Sequence, residues 1–264
     1  MISLQSAWAM VLRHIRIWPK DFNIPLTFLY WPILDILIWG FLGDWIQQSH
    51  VSGVQNYRAV SMICLLLFQI SSRGTNCLNN YFHEELHSSN IINLFSLPLS
   101  LSSWIAGCIL YTALVTSLIA FICILFSLLL YDLMLSQILI AFIYFAIPLF
   151  LCSIWLGFVS LSIVTILGKR GMELAWIFAW FFTPFSGAYY PVEVLPAWGQ
   201  AISSVIPMSY IFRGVRDWLI NGTNPMAYLI QGYAMSFLYA VIAIALFVYC
   251  FNRCRKNGLV RLMD

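Results

Sequence analysis

His83-Glu84-Glu85-Leu86-His87 is a literal H-E-x-x-H. On a helix this spacing puts both imidazoles on one face, with Glu84 placed to act as a base on metal-bound water. A catalytic zinc needs three protein ligands and an open position, and no third ligand is evident near this run. An intramembrane zinc hydrolase using residues 83–87 therefore competes with a plainer reading, a short solvated cytoplasmic helix that binds no metal. Asp35, in Trp31-Pro32-Ile33-Leu34-Asp35, is the second group that invites chemistry. It falls near the middle of an apolar run, where an ionisable group is costly and faces the interior of a bundle. Arg73 is its candidate partner. A protonated Asp35, or an ion-coupled carrier that uses it as a proton or cation site, is the alternative.

The third feature is a stretch too apolar for a water-exposed loop and too broken for a span. It runs from Pro184-Phe-Ser-Gly-Ala-Tyr-Tyr-Pro191 through Leu195-Pro196 and Ile206-Pro207-Met-Ser-Tyr210 to Arg213 and Arg216. Each proline removes a backbone donor and crowds the preceding turn, so no continuous helix runs through it. Such backbone is tolerated at membrane depth only when packed in protein or lining a wet cavity. Other chemistry is missing. Phe185-Ser186-Gly187 lacks the context of a G-x-S-x-G elbow, and no G-x-x-x-x-G-K-[ST] occurs. The chain holds no nucleotide of its own, so active transport would draw on an ion gradient or on another subunit. No catalytic residue is assigned.

The elements that must position these residues follow from composition. The chain has 264 residues, 62% hydrophobic and 9% charged, against about 25% charged in soluble domains. It is expected to be an all-α integral membrane protein in the inner (plasma) membrane, a single domain over residues 1–264. The net charge of +3 is too small to argue for nucleic acid. The seven cysteines match neither a disulfide framework nor a metal pattern. Six spans are expected at 24–43, 58–78, 104–130, 137–168, 172–189 and 227–251; a crossing needs roughly 20 residues, and the fourth, longer than that, should tilt or protrude. The fifth is short. Residues 1–20 read as an amphipathic helix in the headgroup region, with Leu4, Trp8, Val11, Leu12 and Ile15 as its apolar positions. No cleavable signal peptide is expected.

Basic residues set the orientation. With the N-terminus inside, Arg13, Arg16, Lys20, Arg73, Lys169, Arg170, Arg253, Arg255, Lys256 and Arg261 lie at the cytoplasmic side, and Arg58, Arg213 and Arg216 at the other. Both termini are then cytoplasmic, and the broken stretch is external.

Together these features resemble the membrane subunit of a type-2 ABC exporter. The family shows a Ser-Gly at the end of its fifth span, then Leu-Pro, a second proline, and an Arg or Gln. Here these are Ser186-Gly187, Leu195-Pro196, Pro207-Met-Ser-Tyr210 and Arg216. Its cytoplasmic loop carries an acidic residue, a short helix and a leucine-rich run ending in Pro-(Leu)-Ser, here Glu84-Glu85, Ile91 to Leu97 and Pro98-Leu99-Ser100. An amphipathic N-terminal helix ends near Trp18-Pro19. The resemblance implies a coupling helix over 83–97, with His83, Glu84, Glu85 and His87 facing a separate ATP-binding subunit. It implies a homodimer in membrane lipid, with ATP and magnesium held by the partner and no cofactor on this chain. Residues 190–220 would form external re-entrant helices. Ser186, Gly187, Tyr189, Tyr190, Pro191, Pro207, Arg213 and Arg216 would line the path or its outer gate. The family's substrates include polysaccharides, lipid-linked glycans, drugs and other amphiphiles.

Overall fold

Apolar runs of this length satisfy their backbone in hydrocarbon only as helices or closed barrels. The computed structural model describes residues 3–18, 23–48, 57–131 and 133–258. Pro19, Lys20 and Arg261 lie outside them. The described residues form α-helices, short 3-10 turns and no strand. In chain order the helices are α1 (Leu4–Ile15), α2 (Asn23–Gln48), α3 (Tyr57–His87), α4 (Ile91–Ser96), α5 (Leu101–Tyr131), α6 (Leu135–Leu167), α7 (Met172–Phe181), α8 (Ala197–Ser204), α9 (Pro207–Asn221) and α10 (Met226–Asn257).

Among the described residues four stretches are long and apolar enough to cross a membrane: Leu29–Gln48, Leu101–Tyr131, Leu135–Phe185 and Met226–Lys256. With 31 residues, α3 is about 46 Å long at 1.5 Å per residue. Its second half carries Ser72, Arg73, Asn76, Asn79 and Asn80 and is too polar to join the four. The six expected spans are thus four apolar stretches plus a long, half-polar α3.

Side-chain pairs give the directions. Gly74 approaches Ser153 and Gly157 approaches Leu78, so α3 and α6 run the same way. Cys152 meets Ser236 and Trp155 meets Tyr239, which adds α10 in that direction. Asp35 pairs with Arg73 and Asp44 with Arg58, so α2 runs opposite to α3. Tyr81 packs on Trp104, and Gly74 lies near Thr116, so α5 does too. One end of the bundle collects Arg13, Lys169, Arg170, Arg253, Arg255 and Lys256, and is called the basic end below.

Two hairpins bracket the broken stretch. Gly168, at φ 67°, ends α6, and α7 folds back on it. Ser160 Oγ donates to the Ala175 carbonyl at 3.2 Å, and the Trp155 and Phe182 rings lie 5.5 Å apart. The helix expected over 172–189 stops at Phe181, because Pro184 cannot continue it. Ten residues cover about 15 Å, half the hydrocarbon thickness. In the second hairpin Gly222, at φ 64°, turns α9 into α10. Gly214 lies on Tyr228, Gly232 on Ile211, and Tyr239 Oη donates to the Val205 carbonyl at 3.0 Å. Val205 thus sits about 20 Å along α10 from its start.

Two further expectations change. The segment 83–97 is not one helix. His83–His87 is the last turn of α3, the chain bends at Ser89 with φ 54°, and α4 follows. The apolar face expected of α1 also divides. Ala7, Met10, Val11 and His14 are buried, whereas Leu4, Trp8 and Ile15 are exposed. Gly107 of α5 causes this. It has no side chain where Ala7 and Met10 approach, so α1 packs on the bundle through small and medium residues. Ser3 N–H donates to Ser103 Oγ at 2.9 Å, and Trp18 Nε1 to Tyr111 Oη at 3.0 Å, fastening both ends of α1 to α5.

At Gly74 an added Cβ would stand 2.5 Å from Ser153 Oγ, and that hydroxyl is already committed to the Phe150 carbonyl. Gly74→Val is expected to cost about 1–3 kcal/mol by overpacking, read as a lower thermal midpoint in detergent. Adding Ser153→Gly should recover part of the loss; no recovery would mean that this contact does not set the helix spacing.

Candidate functional site

The broken stretch lacks regular backbone pairing, so its carbonyls need other donors. Side chains supply them. Ser186 Oγ donates to the Thr183 carbonyl at 2.7 Å, Ser203 Oγ to Phe185 at 2.8 Å, and Ser209 Oγ to Ser203 at 2.6 Å. Tyr190 Oη reaches Pro184 at 2.8 Å, Tyr210 Oη reaches Ser204 at 2.8 Å, and Gln200 Nε2 reaches Leu195 at 2.8 Å. Arg216 donates to the carbonyls of Gly187 and, at 3.0 Å, Ala188. Gly187 has φ +77°, a backbone conformation that side-chain-bearing residues rarely adopt. Pro207 occupies the first turn of α9, where no backbone donor is missed. Pro191 is exposed and leads into the 3-10 turn Val192–Val194. Arg213 faces Glu193 at 3.4 Å, with both side chains partly exposed. The site residues expected here are brought together, but Arg216 points into the stretch and not toward an interface.

Asp35 and Arg73 are also brought together. Arg73 Nη2 donates to Asp35 Oδ2 at 2.9 Å. Gln69 completes the set, giving Nε2 to the same Asp35 oxygen at 3.1 Å and accepting from Arg73 Nε at 2.9 Å. Gln69 lies one helical turn before Arg73, a spacing visible in the sequence. One turn past Asp35, Trp39 stacks on Tyr189 at 4.7 Å, and Phe68 meets the same ring at 5.3 Å. The broken stretch therefore rests on α2 and α3 beside this polar cluster. Asp35 is 27% exposed and Arg73 8%, so the pair is shielded but not sealed.

At the basic end the two neighbouring acids have different places. Glu85 is 1% exposed. It takes Arg13 Nη1 at 2.8 Å and Asn90 Nδ2 at 2.8 Å, and lies 3.4 Å from His14 Nε2. Glu84 is 40% exposed and lies 3.4 Å from His14 Nδ1. His14 is buried and stacks on Tyr81 at 3.8 Å. Burial opposes its charge, but the two carboxylates outweigh it, and its pKa is raised. Burial would lift Glu85; His14, Asn90 and Arg13 hold it below the ordinary carboxylate value. The expectation that both acids face a partner is thus corrected: Glu85 points inward and joins α1 to the turn between α3 and α4. Sequence reasoning missed His14 and Asn90, because nothing in their spacing connects residue 14 to residue 85.

His83 and His87 do share a face of α3, but Glu84 is turned to His14. Burial, aided by His87, lowers His83 to about 4. Among the described residues no three His, Cys, Asp or Glu side chains converge as a metal site would require.

The family described as ABC-2 type transporter matches residues 6–220. No curated protein and no solved structure matches the chain.

Two outcomes follow from this geometry. His14 gains charge on folding, so its stabilising contribution is complete below about pH 6.5 and is lost as pH rises through the raised value. Protection factors of the α1 amides, which discount the intrinsic base-catalysed rise in exchange, should fall over that rise, and His14→Gln should remove the fall. Arg216→Met strands two carbonyls and should cost about 2 kcal/mol, measured as a lower unfolding midpoint. An unchanged midpoint would mean that these bonds do not hold the stretch.

Proposed function

This chain belongs to the ABC-2 type transporter family and is the permease of an ABC transporter, and we propose that it exports an amphipathic or glycan-bearing lipid substrate as a homodimer driven by separate ATP-binding subunits. Those subunits hold ATP and magnesium, and this chain supplies the two membrane conformations. Nucleotide must bind the two conformations with different affinity, since otherwise hydrolysis moves nothing. The basic end is cytoplasmic on this reading, by the excess of Lys and Arg there. The chain then lies in the inner membrane with both termini inside.

One observation carries the proposal: Glu85 is consumed in bracing α1 against α3 and α4, and this leaves a firm exposed surface beside it. Glu84, His87, Asn93 and Leu97 are on that surface, and Leu97 is a large apolar residue 61% exposed. An apolar residue ringed by polar ones fits a docking surface. A push there reaches α3 directly, and α3 carries Arg73 and Gln69 toward Asp35. The stretch from Thr183 to Arg216 then serves as re-entrant structure at the external side. Its side-chain-capped carbonyls support that reading, because such backbone survives at depth only when satisfied within the protein.

Asn93→Arg combined with Leu97→Asp should weaken capture of the ATP-binding subunit by at least about tenfold, or 1.4 kcal/mol, with the unfolding midpoint of the isolated chain unchanged. Pull-down and ATPase stimulation in proteoliposomes measure this. Substrate movement by the isolated chain in ATP-free liposomes would overturn the proposal.

A further inference from the structure

α5 and α6 each pack on α3 and barely touch one another. Between them opens a groove of about 390 Å3, with Ile70 of α3 as its floor. α5 walls it from Ala113 to Ile124, and α6 from Phe142 to Phe150. The side chains of Ala113, Ala120 and Ala146 are too short to bridge the gap.

The helices fix its depth. Their middle residues are Thr116 of α5, Leu151 of α6 and Ser72 of α3. About ten residues either way from such a middle cover the hydrocarbon, at about 1.5 Å each. The groove reaches Ile124 on α5 and Phe142 on α6, both just inside that limit, and its deep end lies near mid-membrane. All three helices thus place it in the same half of the bilayer, the half away from the basic end.

Its chemistry is that of carbon. No charged residue lines it. Thr116 spends its hydroxyl on the Thr112 carbonyl, at 2.6 Å. Water in such a place needs about two to four polar partners, which this lining does not offer.

Shape narrows the occupant further. Ala113 to Ile124 spans about 16 Å, so the volume leaves a section of about 24 Å2. A helix from a second copy, about 10–12 Å wide with its side chains, cannot enter such a slot. A single inserted side chain fills only a fraction of its length. A chain of methylenes, meeting carbon at about 4 Å on each side, fits its width. The length of the slot also matches the depth of one leaflet, about 15 Å.

We infer that this groove binds one acyl chain of a membrane phospholipid from the leaflet away from the basic end, with the tip of the chain near Ala113. Bound there, the chain props α5 against α6 across a gap that their own side chains do not fill. The inference calls on neither nucleotide nor transported substrate, so it stands apart from the permease reading.

Photo-crosslinking of the full-length chain in proteoliposomes tests it. The probe is phosphatidylcholine with a diazirine in the middle of one acyl chain, added at rising mole fraction. Ala120 is buried and Ala146 half-buried, whereas Leu118 and Ile143 stand exposed on the same helices at similar depth. Crosslinks to Ala120 and Ala146 should exceed those to Leu118 and Ile143 several-fold, and should saturate, whereas annular contact grows in proportion to the probe. Crosslinking that follows exposure, or that never saturates, would overturn the inference. Ala146→Phe, which fills the slot, should lower crosslinking at Ala120 several-fold, and Ile143→Phe on the open face should leave it unchanged. An equal effect of the two substitutions counts against a bound chain. Ser117 is exposed at the groove, and the native cysteines are buried. Ser117→Cys chains that oxidise to a linked dimer, beyond the wild-type background, would put protein there instead of lipid and refute the assignment.

Discussion

In hydrocarbon a backbone carbonyl must find its donor inside the protein, and the chain from Thr183 to Ile206 is organised around that demand. Prolines and a left-handed glycine break the helix repeatedly, and each break exposes acceptors. Serine and tyrosine hydroxyls, one glutamine and one arginine fill them. The donors come from neighbouring turns and from α9 and α10. The stretch therefore keeps its shape only while α9 lies against α10 and α6. Both glycine approaches, Gly214 to Tyr228 and Gly232 to Ile211, serve that packing.

A second constraint operates at the basic end. Arg13, His14, Glu85 and Asn90 come from α1, the end of α3 and the turn before α4. Burying Glu85 is tolerable because three partners face it, and removing Arg13 would leave its charge without its closest ion-pair partner. The brace makes α1 a stiff strut along α5 and leaves Glu84 half-exposed beside His14. The same helix that ends in this brace carries Gln69 and Arg73, about three to four turns away, to Asp35. One continuous helix thus links the surface proposed for docking with the polar cluster beneath the broken stretch.

Much of this was legible in the residues. The apolar runs announced an all-helical membrane protein. The prolines announced the break at Pro184, and the charge of Asp35 demanded a partner that Arg73 could be. The lengths misled where a run hid a turn. Residues 172–189 read as a span because the apolar run continues past Pro184, whereas the helix stops at Phe181. Residues 83–97 read as one helix because Ser88-Ser89-Asn90 contains neither glycine nor proline.

The sequence by itself determined the solvent: 62% apolar and 9% charged residues leave a bilayer as the only medium in which such a chain is stable. It also determined where helices cannot continue, since proline removes a donor wherever it stands. Only the tertiary structure decided which polar groups are answered and which are not. Glu84 and Glu85 are adjacent and chemically identical, yet one is buried in an ion-pair network and the other is exposed. Arg216 turns inward to two carbonyls, whereas Arg213 faces Glu193. These outcomes depend on α1 lying along α5 and on α9 folding against α10. Contacts between residues 14 and 85, or 187 and 216, arise from that packing and leave no periodic trace in the chain.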